Sequence, residues 1–223
     1  MATALHARKK GETSDFTLPL AYFSAMEFLQ YFSYFVIGQC TFEANTWLTT
    51  LSYVHIAFQP LMMNIFFMYW LPVRIKERVR SYVYAICLFL AALTLIKLLP
   101  FRAGALCEIG QTLCGPIMCT VPGTWHLAWS VPYYNWPIPF DAITYYIIGT
   151  FVVPLFYGAW RSVVTTIITG PLVAYYLSSG NPQEWPAIWC FYSIVLIIGG
   201  LVSHVYMHKR PAKLYRELFR HGR

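Results

Sequence analysis

The stretch Ser52 to Trp70, SYVHIAFQPLMMNIFFMYW, has the length and apolar content of a membrane helix, yet it carries His55, Gln59, Pro60 and Asn64. Polar side chains in such a segment either tie helices together or build a site, and the rest of the sequence bears on which. The chain of 223 residues is 58% hydrophobic, 18% aromatic and only 11% charged. Soluble domains carry about a quarter of their residues charged, so a soluble globule of this composition would lack polar surface to cover its core.

Six apolar runs lie near or above the roughly 18 residues needed to cross a bilayer. They are Phe16 to Gly38, Trp47 to Trp70, Ser81 to Pro100, Ala142 to Phe156, Ser162 to Leu177 and Ala187 to Met207. The first is as long as a full span, carries Glu27 and ends without a small-residue cleavage site, so it reads as a helix and not as a cleaved signal. The fourth is interrupted by Gly149 and Pro154, which predicts a kink. The expected fold class is therefore all-α: a polytopic transmembrane bundle of six helices over residues 16–207, with a long extracytoplasmic loop between helices three and four. Residues 1–15 and the basic tail 208–223 are expected in the cytoplasm, the tail as a short amphipathic surface helix. With both termini inside, 14 of the 16 Lys and Arg residues face the cytoplasm, leaving Lys97 and Arg102 outside. The net charge of +7 then reflects membrane topology and an anionic inner leaflet, and no nucleic-acid partner is expected.

The connection from Phe101 to Asp141 shows no evident regular structure and holds Cys107, Cys114 and Cys119 with the aromatic run TWHLAWSVPYYNWPIPF. Its rings and prolines suit a cap at the membrane interface. With Cys40 it supplies four cysteines on the outer side, which allow three pairings. The arrangement expected is Cys40 tied to one loop cysteine and the other two closing a small loop, because that would hold the cap against helix one. A redox cysteine pair is disfavoured by the absence of Cys-x-x-Cys. Zinc binding by these cysteines with His126 has no supporting ligand spacing.

Inside the spans, Glu27, Gln30, Tyr31 and Tyr34 share one face of helix one, and Ser52, His55 and Gln59 share one face of helix two. At about 1.5 Å of rise per residue, Glu27 and Gln30 reach the depth of His55 and Gln59. A carboxyl group there costs roughly 2.5–3.5 kcal/mol if left facing lipid, so Glu27 is expected to point inward, protonated or partnered, with His55 the obvious partner. Pro60 frees the carbonyl of Ile56, while Asn64 falls off the His55 stripe and closer to the inner side. His204 and His208, at the inner end of helix six, read as interface residues, and Arg161 as a topology determinant.

The succession MEFLQ, Cys40 to Asn45, LSYVHIAFQP, LCGPIMCTVPGTWHLAW, VPYYN, PLFYGAWR and NPQEWPAIWC resembles a family of small bacterial integral membrane proteins classed as a domain of unknown function, over Phe16 to Cys190. The relatives it resembles begin with a Met-Cys-Trp-Ser-Pro segment that is not found here, so no role of that leading cysteine is carried over. The resemblance implies a six- to seven-helix fold and residence in a bacterial inner membrane, and it implies no activity.

The expected function is binding of a small ligand, a lipid head or a quinone in an outward-facing polar pocket. Glu27, Gln30, His55 and Gln59 would line its floor, with Trp125, His126 and Trp129 above. The protein would act among membrane lipids, as a homo-oligomer or an accessory subunit of a larger complex; no cofactor is indicated. Two alternatives are a membrane-embedded enzyme, by quinone-coupled thiol oxidation or acid–base chemistry on a lipid-like substrate, and a small transporter or channel.

Overall fold

The computed structural model describes residues 14–100, 105–135 and 140–193, with Gly199. Residues 1–13, Arg102, the part of helix six that carries His204 and His208, and the basic tail lie outside the described residues.

The chain is mostly helical. Helix α1 runs Ser14–Tyr34, α2 Glu43–Tyr69 and α3 Val73–Ile96. Each of the six apolar runs contains helix within the described residues. Helices α2 and α3 are long and apolar enough to cross a membrane, while the stretch Ala142–Phe156 is apolar but shorter. Helix α3 starts two turns before its apolar run, directly after Pro72, and its early basic residues close an ion pair with α1. Lys76 Nζ lies 2.7 Å from Asp15, and Arg80 lies 4.0 Å away. Much of α3 turns outward: Tyr82 is 74% and Phe89 62% exposed.

The expectation of an all-α chain is corrected over residues 105–135, which contain four short strands. These are β1 Ala105–Leu106, β2 Cys119–Pro122, β3 Leu127–Ser130 and β4 Tyr134–Asn135. β2 and β3 form an antiparallel hairpin with Thr120 opposite Trp129, and β1 pairs with β4. Strands of two to four residues are too short to show the alternation that marks a strand in sequence. Their register is set by tertiary bonds. The disulfide Cys40–Cys119 ties β2 to the α1–α2 connection, and Cys107–Cys114 closes a small loop, which is the expected arrangement. Asn45, fully buried in the first turn of α2, completes the anchor as a strand edge would. Its Nδ2 donates to the carbonyls of Val36 and Thr120, and its Oδ1 accepts from the Thr120 N–H at 2.7 Å.

The fourth run is a composite: α4 Ala142–Ile147, a π-helical segment Ile148–Val152 and α5 Val153–Phe156. The predicted irregularity is therefore present, and Asn64 shows how it is stabilised. In the π segment the Val153 N–H reaches back five residues to the Ile148 carbonyl. The same pattern would pair residue 154 with Gly149, but Pro154 has no N–H. Asn64 Nδ2 fills that vacancy, donating to the Gly149 carbonyl at 2.8 Å and to the Pro60 carbonyl at 2.7 Å. Its Oδ1 accepts from the Tyr157 hydroxyl at 2.7 Å. Gly149 is needed for contact at this crossing, since a Cβ there would sit 2.8 Å from Pro60 Cβ. Helix α6 (Trp160–Thr169) and α7 (Pro171–Leu177) split the fifth run at Pro171, which lacks the N–H to continue the ladder. Helix α8 covers 185–193.

Candidate functional site

The tip of the β2–β3 hairpin, Gly123 to His126, is held by a residue the sequence reading did not single out. Glu184, fully buried just before α8, accepts hydrogen bonds from the backbone N–H of Thr124 at 2.8 Å, of Trp125 at 2.6 Å and of His126. A buried carboxylate is tolerated when several donors converge on it. Gly123 makes room for it: a Cβ would lie 2.5 Å from Glu184 Cδ. The motif Asn181-Pro-Gln-Glu184 has the spacing of a helix capping box, which would keep Glu184 local. Asn181 Oδ1 accepts from the Gln183 N–H in the turn that precedes α8, while Glu184 is taken by the hairpin.

His126 joins three elements. Its Nε2 lies 2.8 Å from Gln30 Oε1 and its Nδ1 2.5 Å from the Tyr34 hydroxyl. Gln30 Nε2 in turn donates to the Ala187 carbonyl at 3.2 Å. With the Gln30 carbonyl as acceptor, the neutral Nε2–H tautomer satisfies every group: Tyr34 donates to Nδ1 and Nε2–H donates to Gln30. Burial pushes the His126 pKa down, and the Glu184 carboxylate partly offsets this. Gln30 and His126, expected on floor and ceiling, thus meet directly and spend their polar groups on each other.

Below this latch lies a second polar group whose members are not spent. His55 is buried and stacks on Tyr22, with ring centroids 3.7 Å apart, and the Tyr22 hydroxyl donates to the His55 carbonyl. Gln59, one turn further along α2, is 1% exposed. Its Oε1 faces the Cys190 thiol at 3.9 Å. Cys190 also lies within electrostatic reach of Glu27 and Tyr22. No hydrogen bond or ion pair joins Glu27 to His55. Instead Glu27 Oε1, His55 Nε2 and Gln59 Nε2 are all buried without a hydrogen-bond partner among the described residues, as is Ser52 Oγ, and the same holds for Trp129 Nε1, Trp185 Nε1, Gln183 Oε1, Thr150 Oγ1 and the Tyr146 hydroxyl. Native proteins leave few buried polar atoms unpaired, so several in one place call for an account.

The two cap tryptophans lie apart. Trp129 is buried in the core shared with Met26, Ile56, Tyr146 and Trp189. Trp125 is 45% exposed and packs on Phe191 and Tyr192. Next to the polar group, a cavity of about 420 Å³ runs between α2, α4, the π segment, α6 and α8, lined by Ile56, Ile143, Ile147, Phe151, Trp185 and Trp189 among others. Tyr146 borders both: it lines the cavity, and it packs in the same buried core as Cys190. Tyr22 and Tyr146 carry no motif in the sequence, and Cys190 only closes the stretch NPQEWPAIWC; packing reveals their place.

The fold is thus a mostly helical one with two helices able to cross a membrane and a disulfide-tied β cap over one end. The chain belongs to a family of unknown function, DUF5765, whose model matches residues 1–209. No curated protein and no solved structure matches the chain.

Proposed function

We propose that this is a six-span protein of a bacterial inner membrane, both termini cytoplasmic, that binds a small polar head group, of a lipid or a quinone, at Glu27, His55 and Gln59 beneath the cap. The observation that carries the reading is the set of unpaired buried atoms from two helices: Glu27 Oε1, His55 Nε2 and Gln59 Nε2. A structural polar network would close on itself, as Asn64 does. A ligand head that supplies the missing partners removes a penalty of about 1–3 kcal/mol for each orphaned group. Gln30 and His126 serve this site by latching the cap above it.

The membrane setting is supported by the outward surface. Phe28, Tyr31 and Phe32 on α1, Phe35 just after it, and Tyr82, Ile86 and Phe89 on α3 are large apolar side chains left exposed, the kind of surface that marks a membrane or partner contact. The basic residues Lys76, Arg80 and Arg161 lie at the opposite end from the disulfide cap, which fits the topology rule. Alkaline phosphatase fused after Asn135 should be active, and fused after Arg80 or Arg161 inactive; activity after Arg80 would overturn the orientation.

Binding is tested by mass spectrometry of small molecules and lipids that co-purify with the protein in detergent. The wild type should retain a species that Gln59→Leu and Glu27→Leu release. Absence of any species enriched above the detergent extract would sink the reading.

A further inference from the structure

Resting on the site proposed above, we infer that its ligand is an amphiphile, with a carbonyl-bearing head at Gln59 and an apolar chain in the cavity lined by Ile143, Ile147, Phe151, Ile167, Trp185 and Trp189. Three observations lead there. First, the free half of Gln59 is its amide N–H₂, because the carbonyl half already faces the Cys190 thiol. An N–H₂ group needs an acceptor, and a carbonyl oxygen is one. Second, the neighbouring cavity, about 420 Å³, falls within the usual range for ligand pockets, and its lining is apolar apart from Thr112 and the rims of Tyr146 and Trp185. Third, Tyr146 lines the cavity and packs in one buried core with Ile56, Trp189 and Cys190, and chain neighbours couple the two compartments again: Ile56 follows His55, and Trp189 precedes Cys190. Ile147 and Ile167 are 44% and 36% exposed on the apolar flank, so the cavity opens sideways toward the hydrocarbon, the route by which a chain enters from a bilayer.

A compact polar solute would fill only the polar compartment, and a plain hydrocarbon only the apolar one. The head-plus-chain chemistry is shared by isoprenoid-type quinones and by acyl esters, and the two are separated by the probes.

The experiment uses the full chain in lipid nanodiscs with two probes: a benzoquinone bearing a ten-carbon tail, and a monoacylglycerol, each carrying a diazirine at the tail end. At least one probe should bind saturably, and the tighter one identifies the source. Irradiation should place its tail on 143–151 and 185–189. Ile147→Trp, at an exposed position that tolerates a larger ring, should weaken the binding probe by about tenfold, the equivalent of roughly two methylenes lost from an apolar site. Gln59→Leu should weaken it as well. If Ile147→Trp has no effect and the tail labels only the outer faces of α1 and α3, the chain assignment is overturned while the head site stands. If Ile147→Trp acts and Gln59→Leu does not, the head site falls. Saturable binding of neither probe overturns the amphiphile.

Discussion

Helix α2 carries polar residues in both its halves, and the two halves behave oppositely. Toward the basic end, Asn64 spends both amide hydrogens and its carbonyl on Pro60, Gly149 and Tyr157, so that α2 and the composite fourth run close on one side chain. Toward the cap, His55 Nε2 and Gln59 Nε2 are equally buried and closed on nothing, with Glu27 Oε1 beside them. The comparison teaches that burial of a polar residue in an apolar helix does not by itself mark a site. What separates a fastener from a site is whether the hydrogen-bonding capacity is used up inside the protein.

Asn64→Leu should break the comparison most strongly. It orphans the Gly149 carbonyl and the Tyr157 hydroxyl, and with measured interhelical bonds of about 0.6–1.7 kcal/mol each, the loss is about 1–3.5 kcal/mol. Reversible unfolding in mixed micelles measures it; a loss below about 0.5 kcal/mol would mean that the node is not a fastener. Gly149→Ala should cost about 1–3 kcal/mol at the same node, because the new methyl meets Pro60 at 2.8 Å and the helices must separate. It should be read in the same assay.

The latch between cap and helices gives a pH-dependent effect. Burial lowers the His126 pKa, so the unfolded cap binds the proton more readily than the folded one. The contribution is present above the unfolded histidine value of about 6.5 and is lost as pH falls below it. The protection of the Thr124 and Trp125 amides against hydrogen exchange, corrected for the intrinsic fall of the exchange rate with falling pH, should drop between about pH 7 and pH 5.5, and His126→Gln should flatten that dependence. The smallest stability effect belongs to Gln59→Leu, within about 1 kcal/mol of wild type and of either sign, since its Nε2 has no partner to lose and its Oε1 gives up only a long contact with the Cys190 thiol at 3.9 Å. A large destabilisation by Gln59→Leu would show that the outer half is a fastener too.

Much was legible before any coordinates. Composition and run length place helices over all six apolar stretches, because lipid-like apolarity and a 3.6-residue period are local properties of the chain. The faces Glu27/Gln30 and His55/Gln59 follow from the same period, and a bridge from Cys40 to the loop follows from the need to hold the cap down, although that its partner is Cys119 does not. The irregularity at Gly149 and Pro154 is written in the missing N–H of proline. Legible too was the separation of Asn64 from the His55 stripe, although its bonds were not.

What only the tertiary structure decided is who meets whom. The cap is a pair of tiny sheets because Asn45, a disulfide and Glu184 supply the bonds that its strands are too short to supply themselves. Gln30 is withdrawn from the pocket because His126 reaches it, while Tyr22, Tyr146 and Cys190 join the site through packing. Most decisively, Glu27 and His55 share a depth but no hydrogen bond or ion pair. Periodicity sets which side of a helix a residue occupies, but whether its hydrogen bonds are satisfied depends on atoms far away in the chain, and that dependence is what makes one half of α2 a joint and the other the candidate site.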